Sequence, residues 1–207
     1  MKRKVLILLT SLLLSGVAMA SGDVYRGKYP VASVEFNGNP LQDIKPPPLV
    51  MDGATVVPLR AMAERLGAFV VRDEETGKTK VTKPNINMIV AAAVEETNKN
   101  NYQIVSPFMV VDKGSKVSFD VFVDVDNAPK ADSLVFKIVI RNPFGTEEYV
   151  SYPQSYSTAR NGTAFLYTHN VKGMQFKEAG DYKVQMIMKQ GSGGDYQVVG
   201  ENAIHSR

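Results

Sequence analysis

The chain has 207 residues, 44% hydrophobic and 22% charged, and a formal net charge of +3. It contains no cysteine, which excludes disulfides, thiol catalysis and zinc–thiolate sites together. Lys2, Arg3 and Lys4 supply three of the 24 basic side chains; without them 21 basic groups balance 21 acidic ones, so charge gives no support to a nucleic-acid partner.

The first element concerns export. A basic start is followed by an apolar run over residues 5–14, broken by Thr10 and Ser11, and then by Ala18-Met19-Ala20. This is the secretory signal pattern, with cleavage expected after Ala20 and a mature chain beginning at Ser21. The apolar run is too short and wrongly flanked for a membrane span, so no stable membrane insertion is expected after cleavage. No cysteine follows for lipid attachment and no apolar tail precedes Arg207, so the expectation is an extracellular protein, secreted and held non-covalently at the cell wall if at all. Exported animal proteins of this size usually carry disulfides, so cysteine-free export points to a bacterium.

Residues 21–30 read as a flexible leader, and residues 31–84 as a small α+β domain. Val31 to Phe36 alternates with period 2, and Asn37-Gly38 is a strong hairpin signal because both residues tolerate positive φ. Pro46-Pro47-Pro48 confines its stretch to an edge or loop. Asp52-Gly53 turns the chain into a short strand at Thr55, Val56 and Val57. A helix follows, with Pro58 at its first position and Leu59, Met62, Ala63 and Leu66 on one apolar stripe. Gly67 is placed to end it in the left-handed region. The stripe predicts a lid on a small sheet, with Leu66 buried and Arg65 in solvent. Residues 68–71 and 78–82 then read as a hairpin around Glu75-Thr76-Gly77.

Residues 85–207 change to an all-β grammar. Ile86 to Val90 and the alanines after it fit a strand or a short helix, and strand is preferred because Asn85 and Asn87 break helical periodicity. Val117, Phe119, Val121 and Val123 alternate with polar partners, and residues 134–140 form an apolar run ending in Asn142-Pro143-Phe144-Gly145. Further strands are expected at residues 163–167, 182–188 and 197–204. Seven or so short strands separated by turn signals indicate an immunoglobulin-like sandwich, and Gly180-Asp181-Tyr182 resembles its aromatic corner. The fold expected is thus two domains, a small α+β part (β-hairpin, helix, β-hairpin) and then an all-β immunoglobulin-like sandwich.

The first part resembles the bacterial stalk domain also called the copper amine oxidase N-terminal domain. The resemblance rests on the Asn37-Gly38 hairpin, the prolines 46–48, Asp52-Gly53, Val57-Pro58-Leu59-Arg60 and Leu66-Gly67-Ala68. Where that family usually has Trp-Asp, this chain has Arg72-Asp73. The resemblance implies an extracellular, often cell-wall-associated accessory module without catalysis of its own.

Oxidase chemistry fails on its ligands. It needs three histidines and a tyrosine-derived quinone, whereas this chain has two histidines, His169 and His205, and Gln103 after Asn101-Tyr102. Asp124, Asp126 and Asn127 offer oxygen atoms to calcium but lack the rest of a loop site, and a polar turn explains them better. Arg60 and Glu64 lie four apart on the helix, in the weaker order for an ion pair, and Arg60 of the family motif reads as structural, either paired with Glu64 or bracing the sheet edge or the proline strand. Phe144, Tyr149, Tyr152 and Tyr156 form the candidate partner-binding surface, weighed against packing between the sheets. No catalytic constellation, cofactor site or metal site is expected. The function read here is a non-enzymatic exported bacterial protein acting as a cell-surface or cell-wall-associated structural or binding module, with a cell-wall glycan or an extracellular protein as partner. The alternatives are a soluble inhibitor or chaperone-like partner of another exported protein, and a cell-wall-active enzyme whose acids would converge in a cleft.

Overall fold

The computed structural model describes residues 23–99 and 101–207. The signal-peptide reading of residues 1–20 lies outside the described residues. The chain divides into two compact units, residues 1–58 and residues 59–207.

The described part of the first unit consists of three small antiparallel hairpins. They pair β1 (Val24–Tyr25) with β2 (Tyr29–Pro30), β3 (Glu35–Phe36) with β4 (Asn39–Pro40), and β5 (Leu49–Met51) with β6 (Ala54–Val56). Part of the stretch read as a flexible leader is therefore a hairpin. The two expected turns form as their chemistry dictates: Asn37 and Gly38 have φ of 50° and 76°, Asp52 and Gly53 49° and 78°. Leu41 and Pro48 are the buried side chains of this part.

The second unit begins with α1 (Leu59–Arg65) and the hairpin of β7 (Phe69–Arg72) and β8 (Thr79–Thr82). At Arg72-Asp73 the aromatic is absent, and the Asp73 carboxylate instead organises the turn by accepting from Glu75 N at 3.0 Å and Thr76 N at 2.9 Å. Thr76 above all, with a smaller part from Glu75 N, holds its carboxyl below the ordinary carboxylate value.

Ten strands and a short helix follow: β9 (Asn85–Asn98), β10 (Asn101–Pro107), β11 (Val110–Val111), β12 (Lys116–Asp126), β13 (Leu134–Arg141), β14 (Glu147–Val150), β15 (Gln154–Tyr156), α2 (Thr158–Asn161), β16 (Phe165–Gln175), β17 (Gly180–Gln190) and β18 (Gln197–Ser206). One sheet has the order β10-β9-β12-β16. The other has β11-β18-β17-β13-β14, with β15 continuing the β14 edge of β13. The two sheets form a sandwich. Phe119, Val121, Val123 and Val125 of β12 face Leu134, Phe136, Ile138 and Ile140 of β13 and Tyr182, Val184, Met186 and Met188 of β17, all buried in one core. Each such side chain contributes about 1.5–3 kcal/mol by leaving water. The expected aromatic corner is present: Tyr182 is fully buried and its hydroxyl accepts from Glu178 N at 2.9 Å.

The helix departs from its expected burial. Ala63 is buried and Met62 half-buried, but Leu59 is 53% and Leu66 46% exposed. The helix ends at Arg65, one residue before Leu66, and Gly67 (φ 70°) swings the chain so that Ala68 and Phe69 carry the burial instead. A Cβ on Gly67 would stand 2.8 Å from the Val198 carbonyl oxygen. Strand β11 pairs with β18 at His205 and Ser206 alone, so the backbone at Gly67 covers the open edge of β18 near Val198. Arg60 and Glu64 are both exposed, and their side chains make no ion pair or hydrogen bond, with each other or with other protein groups, among the described residues.

Candidate functional site

The four aromatic residues singled out above lie along the β14–β15 edge of the second sheet, and the structure sorts them into two pairs. Phe144 stands on the β13–β14 turn, which Asn142 builds. Its Oδ1 accepts from Phe144 N and Thr146 N, both at 3.0 Å, while its Nδ2 donates to Glu148 Oε1 at 2.9 Å. The Asn142 backbone exchanges further bonds with Gly145 and Thr146 at 2.9 Å each. A turn so fully bonded has little freedom, yet it holds the Phe144 ring 78% exposed.

Tyr152 follows the break between β14 and β15. There the Ser151 hydroxyl, buried, takes the place of a strand neighbour and accepts from Ile138 N at 2.9 Å. Pro153 cannot donate a ladder bond, and Tyr152 projects 88% exposed.

Tyr149 and Tyr156 turn the other way. They are half-buried and pack against the core cluster. Their register partners Ile140 and Leu134 face the core, so alternation puts both tyrosines on the inner face. The Tyr156 ring lies 4.4 Å from Phe165, which stacks on Phe136 at 5.2 Å. The Tyr149 hydroxyl meets His169 Nε2 at 2.6 Å, and the Tyr167 hydroxyl meets His169 Nδ1 at 3.2 Å. This Tyr–His–Tyr bridge crosses from one sheet to the other. Burial pushes the His169 pKa down, with the nearby Asp120 charge opposing it, and raises the pKa of both tyrosines. Asp120 is itself spent on structure, accepting from Val94 N and Asn170 Nδ2, both at 2.7 Å.

The remaining candidates are structural. Asp124 and Asp126 sit in the β12 ladder, and Asn127 (φ 51°) closes a turn with its Nδ2 donating to Lys83 O at 3.0 Å. Among the described residues no group of three or more His, Asp or Glu is arranged to hold a metal. His205 pairs with Asp181 at 2.8 Å on exposed strand positions, and His169 has its own two tyrosines. Sequence reasoning missed the role of His169, because its partners are distant in the chain and no local motif marks them.

No curated protein matches the chain. Among solved structures it is similar to a β-glucuronidase from Bacteroides uniformis (10% identity, TM-score 0.37), the alignment covering 60% of this chain and 14% of that one. The chain thus corresponds to a small part of that enzyme's length. It is also similar to a CARDB domain from Pyrococcus furiosus determined in complex with di-metal ions (12% identity, 60% of this chain and 90% of that one, TM-score 0.33). A third is an immunoglobulin-like protein from Pseudomonas aeruginosa (9% identity, 61% and 96%, TM-score 0.32). Residues 35–125, from the start of β3 to near the end of β12, match the family model described as the copper amine oxidase N-terminal domain, and the resemblance carried by Pro58-Leu59-Arg60 and Leu66-Gly67-Ala68 holds for that segment.

Proposed function

We propose that this is an exported, non-enzymatic bacterial protein of the cell surface or cell wall, which holds an extracellular protein partner through the exposed rings of Phe144 and Tyr152. The observation that carries the reading is the contrast between exposure and rigidity. Two large aromatic side chains project from backbone fixed by Asn142 and Ser151, and the fold gains nothing by displaying them. A phenylalanine at a hairpin tip has no polar handle and suits an apolar pocket of a protein, where aromatic anchors contribute most of the binding energy. The stalk-family match and the sandwich architecture support a binding or structural role. The inhibitor or chaperone-like alternative uses the same surface.

The test is a Phe144→Ala/Tyr152→Ala variant. Its stability should stay within about 0.5 kcal/mol of the parent, because both sites are exposed. A partner cross-linked to the parent in culture supernatant or surface extract should be lost by the variant, while retention on isolated sacculi should not change. Equal cross-linking by both proteins would refute this role for the edge. Export itself is checked by intact mass: the secreted chain should begin at Ser21, and recovery of the full-length chain in the membrane fraction would contradict it.

A further inference from the structure

A cleft of about 480 Å³ lies where α1, β7 and the loop between β17 and β18 meet. Arg60 and Glu64 reach it from successive turns of the helix, and Gln190, Asp195 and Gln197 from the loop and its flanking strands. The side chains of these five residues make no hydrogen bond or ion pair with other protein groups among the described residues, and Gln197 Oε1 is buried without a partner. Polar groups converging on a cleft without partners are placed to bond something that enters it.

The lining decides what enters. An anion would meet the carboxylates of Glu64 and Asp195, and no metal-holding group of acids and histidines occurs among the described residues. An apolar ligand would strand both amides, the carboxylates and the guanidinium without partners. A ligand with many hydroxyls satisfies donors and acceptors alike. Phe69 and Val70 add apolar surface to the lining, against which the ligand's C–H groups would rest. Tyr196 forms a fixed wall, its ring held by the ammonium groups of Lys137 at 4.8 Å and Lys189 at 4.9 Å. Gly194 lets the loop close tightly beside it, since a Cβ there would stand 2.7 Å from Gln190 O. The volume lies within the usual range of ligand sites, roughly 300–1,000 Å³.

We propose that this cleft is a saccharide-binding subsite that takes a short oligosaccharide segment through Arg60, Glu64, Gln190, Asp195 and Gln197. It gives Arg60 of the Pro-Leu-Arg signature a role that an unpaired, exposed guanidinium otherwise lacks. The site shares no residue with the Phe144–Tyr152 edge, so either reading can fail without the other.

The full mature chain, isotope-labelled on nitrogen, would be titrated with chitotriose and separately with cellotriose. Saturable shifts are expected at residues 60–70 and 190–197, including the side-chain amides of Gln190 and Gln197. Arg60→Ala and Asp195→Ala should each weaken binding by about tenfold, the effect of losing one charge-assisted hydrogen bond, with unchanged melting temperatures. Tyr152→Ala should bind as the parent does. A response to chitotriose alone assigns the subsite to acetamido sugars, and equal responses assign it to sugar hydroxyls in general. Absence of saturable shifts with both trisaccharides, or shifts that Arg60→Ala and Asp195→Ala leave unaltered, would overturn the proposal.

Discussion

The two flanks of the sandwich are closed by different means. Where β9 lies against β18, the sheets approach so closely that a side chain at position 200 would displace its neighbours. A Cβ there would fall 2.4 Å from Ile86 Cγ2 and 3.1 Å from Met88 Sδ, and Asn202 Nδ2 donates across to Met88 O at 3.0 Å. Where β16 lies against β14 and β15, the sheets are held apart by rings: Phe136 between Phe165 and Tyr167, Tyr156 on Phe165, and His169 between two tyrosine hydroxyls. One flank is tight and glycine-spaced, whereas the other is filled by aromatic rings and an imidazole. The aromatic flank is also the one that carries exposed Tyr152 just beyond its rim, so the inner rings support the surface that the outer ones present.

The largest blow to this comparison should come from Phe136→Ala, which removes the ring on which both Phe165 and Tyr167 pack. A cost of about 3–5 kcal/mol is expected, read from denaturant melts, as for a buried aromatic cut to alanine. A cost below about 1 kcal/mol would mean the aromatic flank collapses freely and is not a fixed wedge. Gly200→Val attacks the opposite flank by overpacking and should cost about 1–3 kcal/mol, since Ile86 and Met88 can yield only in part. Full stability of that variant would show that the tight approach is not obligatory.

Smaller effects sharpen the contrast. Tyr149→Phe leaves the ring but strips the hydroxyl from His169, and should cost about 0.5–1.5 kcal/mol. The same flank should be pH-sensitive. Burial lowers the His169 pKa from the ordinary histidine value of 6.5, so its neutral form is favoured when folded. Its contribution is therefore present above that value and is lost as pH falls through it toward the folded-state value. His169→Gln should flatten this part of the stability–pH profile, whereas Gly200→Val should lower the whole profile without changing its slope there.

Local chemistry explains which parts were legible beforehand. Asn37-Gly38 and Asp52-Gly53 turn because of their own φ preferences, and Tyr182 finds its backbone partner four residues away. The run at residues 134–140 is a strand in any context that buries both its faces, and here Val139 is buried as well as Ile138 and Ile140. Illegible features depend on distant partners. Leu66 looked like a core residue by spacing, but a helix ending at Arg65 and a glycine pressed on Val198 turn it outward. Tyr149 and Tyr152 are close in sequence and equally aromatic; only the pairing of Tyr149 with Ile140, and the strand break at Ser151, decide which one meets His169 and which one meets solvent. The cleft joins Arg60 to Asp195, which no spacing rule connects.

Gly67 carries one further consequence. Its close neighbour, Val198, lies far outside the segment that matches the stalk family, which stops at residue 125. The segment also ends within β12, whose partner β16 begins at Phe165. A portable module moves between proteins only if it brings its own interior with it. Here part of the physical support lies beyond the matched residues, so residues 35–125 transplanted alone would carry a bare strand ladder along β12 and an uncovered Phe69. In this chain the smallest transferable piece is therefore larger than the matched segment.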